Sequence, residues 1–262
     1  MRELKAFEIK KIEIDILTEI DRFCTEKGLS YFLAYGTLLG AVRHGGFIPW
    51  DDDIDIVMPR KDYECLCGIF RSSDYALIDS NTKGYPYPFA KIFCKNTIIK
   101  EPITSRSLFG VYVDIFPLDG VPKKKTKKFL GKVYFYKRII KHKYSRMENE
   151  NVLKRCFHRV YKLLCLPLTY KWLSNRMNSL CKRVPFDDSG FVGNHVWGYE
   201  YKNFDLEWFS AFTPISFEGK KYRAPIGTKE FLEKNYGDYM SLPPVEQRKS
   251  IHGFNAFMLD NN

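Results

Sequence analysis

The sequence predicts an α+β fold with a basic helical segment in its middle. Three observations carry this expectation. Residues 53–59, DIDIVMP, alternate acidic and aliphatic side chains with the period of a strand. Residues 2–27 set Leu4, Phe7, Ile12, Ile16, Ile20 and Phe23 near helical spacing. Residues 121–183 hold 19 Lys and Arg against two acids, Glu148 and Glu150, so this segment carries +17 in a chain of net +11.

Taken in order, the first helix spans 2–27 and stops at Gly28, a residue suited to a left-handed cap. SYFLAYG, residues 30–36, is an apolar aromatic run that reads as a buried strand. Thr37–His44 reads as a short helix begun at Gly36 and ended by Gly45-Gly46. After the strand at 53–59, Pro59 opens a helix through about Phe70, since proline suits a first helical position. Short strands are predicted at 75–79, 89–94 and 97–100, around the turn-rich NTKGYPYP. GVYVDIFPLDG, residues 110–120, reads as a strand broken at Pro117. Residues 123–182 read as two long basic helices parted near 147–150. Beyond Pro185, FEGKKYRAP predicts a hairpin and GTKEFLEKNYG a short helix bounded by glycines. The expected organisation is a core in 1–120, a basic helical insertion in 121–183, and a C-terminal part in 184–262 that completes the same domain and site.

At 45% hydrophobic and 16% aromatic, the chain can build a core and does not have the composition of a disordered segment. No apolar run approaches the roughly 20 residues a membrane helix needs. MRELKAFEIKKIEIDILTEIDRF is charged throughout and lacks the apolar centre of a signal peptide. The seven cysteines show no paired or C-x-x-C spacing and read as reduced, buried side chains. A cytoplasmic protein is expected, with peripheral contact at the inner face of the cell membrane.

The chemistry concentrates in YGTLLGAVRHGGFIPWDDDIDIVMPR, residues 35–60. Alternate strand residues share a face, so Asp53 and Asp55 point the same way, joined by Asp51 if the strand begins early. Carboxylates about 7 Å apart on one edge repel unless a cation lies between them. Mg²⁺ takes oxygen ligands and commonly binds substrate phosphate as well, and Mn²⁺ is compatible with the same donors. Ile54, Ile56 and Val57 thread the run and argue against a solvated loop. D-x-D-x-D at 51, 53 and 55 is not a calcium loop, because Ile56 and Asp62 stand where that loop needs Gly and Glu. Gly36-Thr37 lies where a strand turns into a helix, and free backbone N–H groups there attract phosphate. Arg43 and His44 follow within reach of the same anion. Asp114, inside an apolar strand, is the candidate third acid, since burying it alone would be costly. Asp119 is assigned a turn role.

These stretches, together with YPFAKIFCKNTIIKE, VYVDIFPLDGVP and APIGTKEFLEKNYGDYMSLPPVEQRKSIH, resemble the LicD family, whose relatives include fukutin-type transferases. The likeness covers about the first 120 and last 50 residues; the basic middle diverges most. The resemblance implies a nucleotidyltransferase-like fold of the polymerase-β type, a mixed sheet core with flanking helices. It makes Gly36-Thr37 the glycine turn, Asp53 and Asp55 the metal pair, and Asp114 the third acid. It further implies site roles for Lys91, Arg248 and His252. The implied reaction moves phosphocholine from CDP-choline, or a related polyol phosphate, onto a sugar hydroxyl of a cell-surface glycan (teichoic acid, lipopolysaccharide or capsule precursor) and releases CMP. Asp51 or Asp52 is the candidate acceptor of the hydroxyl proton. The glycan acceptor is expected to be lipid-linked, and the basic segment 121–183 to meet an anionic membrane rather than nucleic acid. Three rival functions use the same residues differently: a nucleotidyltransferase acting on RNA or a small molecule, a D-x-D glycosyltransferase, and a catalytically silent membrane scaffold.

Overall fold

A computed structural model describes residues 1–100, 108–122, 126–144, 159–160, 165, 167–197, 202–249 and 255–260. It is a mixed α+β structure. Helix α1 (Ala6–Lys27) buries Ile16, Leu17, Ile20 and Phe23 and ends at Gly28, whose φ of 65° is the left-handed cap the sequence anticipates. The expected helix over 2–27 is shorter at its start. Arg2–Glu3 instead forms β1, paired with residues 257–258 far along the chain.

The central sheet contains β2 (Phe32–Leu33), β3 (Asp55–Pro59), β4 (Tyr75–Ile78), β5 (Ala90–Cys94) and β7 (Tyr112–Gly120), in the order β2-β3-β7-β5-β4. The β3–β7 pair is parallel; the β2–β3, β5–β7 and β4–β5 pairs are antiparallel, which makes the sheet mixed. β8 (Phe191–Gly193) joins the end of β7 and carries β9 (Phe204–Asp205) beyond it. A separate sheet joins β1, β12 (Asn255–Met258) and β6 (Thr97–Lys100). Helices α2 (Tyr35–His44), α3 (Arg60–Ile69), α4 (Thr126–Tyr144), α5 (Tyr170–Cys181) and α6 (Thr228–Tyr236) flank these strands.

Pro117 does not break β7. The Asp114 N–H donates to the Ile54 carbonyl at 2.8 Å, so even-numbered amides of β7 face β3. The missing donor of Pro117 therefore faces the other edge. There β5 stops opposite Ile115 and β8 begins opposite Asp119. Asp119 is likewise not a turn residue: it is fully buried, and the Arg60 guanidinium grips both its oxygens at 2.6 and 2.7 Å. The apolar run at 30–36 supplies only two strand residues before Tyr35 enters α2 with a positive φ of 45°.

The hairpin is β10 (Phe212–Phe217) and β11 (Lys220–Pro225), turning at Glu218 and Gly219 with φ of 50° and 77°. Both central residues are left-handed, the geometry that matches the twist of the flanking strands. The Glu218 carboxylate accepts the Phe47 N–H at 2.9 Å and so pins the loop that leads into the acidic run. In the basic middle, α4 and α5 pack together. The expected parting near 147–150 lies outside the described residues. No described helix is long and apolar enough to cross a membrane.

Candidate active site

β3 and β7 run side by side in a register that sets Asp55 opposite Asp114. The loop 51–54 that feeds β3 adds Asp53. Ligand oxygens of Asp53, Asp55 and Asp114 all lie within 4.8 Å of one another, and those of Asp51, Asp52 and Asp53 form a second such group. Asp51, Asp53, Asp55 and Asp114 open into one cavity of about 1110 Å³, whereas Asp52 does not line it. The expected strand over 53–59 begins only at Asp55, and Asp51 and Asp53 reach the cavity from the loop before it.

The acids sit in an environment that resists their charge. Asp53 and Asp114 are buried, and burial holds the Asp55 carboxyl well above the usual carboxylate range, with Asp53, Asp114 and Asp51 pushing the same way and Lys91 opposing. Beneath the run, Glu13 of α1 is 1% exposed with one carboxyl oxygen lacking a hydrogen-bond partner. Burial raises its pKa well above normal, and Asp53, Asp52 and Asp51 reinforce the effect. A hard divalent cation suits this donor set of clustered carboxylate oxygens.

Lys91 is placed by β5, opposite Asp114 in the antiparallel ladder. Its ammonium is buried, lies 2.5 Å from Asp114 Oδ1, and stands 3.3 Å from the Tyr112 ring centroid. Tyr87 and Phe89 also face it, at 4.9 and 5.4 Å. On the same side of the cavity, the rings of Tyr87, Phe89 and Trp197 meet at centroid distances of 5.1 to 5.6 Å.

The glycine-threonine turn supports the acids directly. A Cβ on Gly36 would fall 2.4 Å from Asp51 Oδ2, so only glycine lets that carboxylate lie against α2. The buried Thr37 hydroxyl accepts the Asp55 N–H at 2.8 Å and thereby ties α2 to the start of β3. Thr37 does not line the cavity; Gly36 does.

Arg43 lines the cavity and donates to the carbonyls of Tyr239, at 3.0 Å, and Ser241, at 3.4 Å, holding the loop after α6 against α2. Its Nε donates to His44 Nε2 at 3.0 Å. His44 stays outside the cavity lining, exposed and edge-on to Trp50. Arg248 stacks over Trp50, 5.6 Å from the ring centroid, and donates to the Pro243 carbonyl at 2.9 Å. His252 lies outside the described residues.

Sequence reasoning missed Glu13 and the aromatic wall. Glu13 had a signal: it falls on the helix face of Ile9, Ile16, Leu17 and Ile20, where an acid is out of place. Asn194, Lys202 and Tyr236 also line the cavity, and nothing local in the sequence marks them.

The LicD/FKTN/FKRP nucleotidyltransferase domain family matches residues 28–160 of the chain. Similarity also extends to individual proteins. The lipopolysaccharide cholinephosphotransferase LicD of Haemophilus influenzae is 29% identical over 274 aligned positions, which cover 99% of this chain and 100% of that protein. An uncharacterised protein of Rickettsia prowazekii is 43% identical over 47 residues, 18% of either chain.

Proposed function

The chain belongs to the LicD family of nucleotidyltransferase-domain proteins, and on that premise we propose that it transfers phosphocholine from CDP-choline to a sugar hydroxyl of a cell-surface glycan, releasing CMP. One observation carries the reading: carboxylates from two adjacent strands converge on a single cavity large enough for a nucleotide-linked donor. Full-length similarity to a protein named as a lipopolysaccharide cholinephosphotransferase supports the choice of group and acceptor. A polymerase-β-type core in 1–120 and 184–262, interrupted by the basic segment 121–183, is the arrangement we assign to the domain.

Asp53, Asp55 and Asp114 would hold Mg²⁺, which when bound supplies charge stabilisation to the donor diphosphate and acidity to a nearby hydroxyl. The α2 N-terminus at Tyr35-Gly36 offers backbone N–H groups to phosphate oxygens. Arg43 keeps the loop 239–241 closed on the cavity and adds positive charge to its wall. Thr37 orients Asp55 through its backbone. The acceptor oxygen forms a bond to the phosphorus distal to cytidine as that phosphorus breaks from CMP. The hydroxyl proton passes to Asp51 or Asp52. Of the two, Asp51 lines the cavity. Most of the acceleration in such transfers comes from positioning and electrostatics.

The aromatic wall favours choline over ribitol or glycerol as the transferred alcohol. Ring faces of Tyr, Phe and Trp attract a quaternary ammonium and offer nothing comparable to a polyol. The test is CMP release from CDP-choline with Mg²⁺ in wild type, Asp53→Ala and Asp55→Ala, alongside CDP-ribitol, CDP-glycerol and CDP-ethanolamine. Turnover of CDP-choline that both variants lose supports the reading. Wild-type turnover in both variants removes the metal-pair assignment. Attachment of CMP to the acceptor, rather than its release, makes the protein a nucleotidyltransferase instead.

A further inference from the structure

Away from the acidic cavity, α4 and α5 enclose a second groove of about 590 Å³. Lys128 and Lys132 of α4 line it, with Arg176 of α5 and Arg183 just beyond that helix. All four are exposed, and none has an ion-pair partner among the described residues. Residues 126–144 and 167–183 contain no Asp or Glu, so nothing on these helices offsets the four cations.

The floor and rim are aromatic. Phe135 and Tyr136 line the groove, and Phe135 is 59% exposed. Trp172 is 42% exposed, edge-on to Tyr136 and 5.5 Å from the Arg176 guanidinium. Exposed large rings beside uncompensated cations are not a solvated helix face, which would interleave acids with its lysines. They match the chemistry of a bilayer interface, where aromatic rings sit at headgroup level and Lys or Arg meets lipid phosphate.

We propose that the α4–α5 groove docks this protein onto the surface of an anionic phospholipid bilayer. Cations in the groove take lipid phosphates, and Phe135 and Trp172 enter the headgroup layer. The docked helices also touch the catalytic cavity from behind. Lys137, on the buried side of α4, donates to the Trp197 carbonyl at 3.2 Å, and the Trp197 side chain lines that cavity. The docking itself depends on no step of the transfer reaction.

Flotation of the full chain with vesicles tests this. Neutral phosphatidylcholine vesicles are compared with vesicles containing about 30% phosphatidylglycerol, at low and high salt. Binding to the anionic vesicles alone, lost at high salt, is expected. Lys132→Glu with Arg176→Glu should weaken it about tenfold or more, and Phe135→Ser with Trp172→Ser should weaken it at low salt, where the wild type binds. Circular dichroism and CMP release from soluble donor should match wild type in both variants, separating lost docking from lost folding. Equal binding to both vesicle types, no binding to either, or wild-type binding by the charge-reversed variant overturns the proposal. So does displacement from vesicles by millimolar inorganic phosphate, which would mark a soluble-anion site, or RNA binding without vesicle binding.

Discussion

Asp55 and Asp114 face each other across the parallel β3–β7 pair of the central sheet, although 59 positions separate them in the chain. With Asp53 they bring ligand oxygens within 4.8 Å, in surroundings that hold the Asp55 carboxyl well above its usual range. A carboxyl with a raised folded value stabilises the fold below its ordinary range and withdraws that support as pH rises through the folded value. A divalent cation competes with the proton for the same oxygens. The rise in Tm produced by Mg²⁺ is therefore expected to grow as pH rises from above the ordinary carboxylate range through the raised folded value. Asp55→Asn should abolish that rise, increase Tm in chelator, and lower CMP release about a hundredfold or more. Thermal shift with and without EDTA checks all three. A pH-independent Mg²⁺ response that survives in Asp55→Asn would sink the assignment.

Lys91 supplies the positive charge nearest Asp114, from inside an aromatic box. Removing one partner of a buried pair leaves the other uncompensated, at a cost of about 3–5 kcal/mol. Lys91→Met is expected to lower Tm in EDTA by about 10 °C. Mg²⁺ should restore part of that loss, because it answers the same carboxylate. Equal Tm losses with and without Mg²⁺ would show that Lys91 and the cation do not share Asp114.

Gly36 touches Asp51 so closely that an added methyl would stand 2.4 Å from Oδ2. Gly36→Ala is expected to displace Asp51 while leaving α2 intact, since alanine is the better helix former. CMP release should fall about tenfold or more with Tm within about 3 °C of wild type. Unchanged kinetics would remove Asp51 from the working part of the site.

Much of this arrangement was legible in the chain because its signals are local. The run of acids threaded with aliphatics marks this segment, and the cavity lining takes 51, 53 and 55 and omits 52, although 51–54 is a loop and only Asp55 lies on the strand. The hairpin turn and the glycine-bounded α6 carry their own residue chemistry. What escaped depends on partners remote in sequence. Asp119 reads as a turn acid until Arg60 of α3 is known to reach it. Residues 2–3 extend the helical pattern, and only pairing with 257–258 makes them a strand. Tyr87, Phe89 and Trp197 are unremarkable aromatics until folding stacks them.

Asp119 also allows a control on the other face of β7. Its pair with Arg60 is 0% exposed on the acid side, and Arg60 Nη1 further donates to Asn178 of α5 at 2.9 Å. This acid joins α3, β7 and α5 and does not line the cavity. Asp119→Asn is expected to lower Tm by about 10 °C, the consequence of breaking a buried pair. The Mg²⁺-dependent rise in Tm should persist in it. Loss of that rise with a wild-type Tm would exchange the roles of Asp119 and Asp114.

His195 makes acid the condition that loosens the junction of α4 with β8. It is fully buried, its two ring nitrogens lack hydrogen-bond partners, and it meets the Phe129 ring edge-on at 5.6 Å. Burial lowers its pKa to about 4, and the nearby charges of Lys137 and Arg60 act in the same direction while Asp119 opposes them. The unfolded chain, near the ordinary 6.5, takes the proton first. Stability from the neutral ring is thus complete above about 6.5 and withdrawn as pH falls toward about 4. The loss amounts to about 3 kcal/mol across that window, or about 5–10 °C in Tm. His195→Gln lacks the titrating ring, so its Tm should fall less steeply than wild type over the same range. Differential scanning fluorimetry of both proteins from about pH 7.5 to about pH 4.5 gives the two slopes directly, and parallel slopes would assign the acid sensitivity to the carboxylates instead.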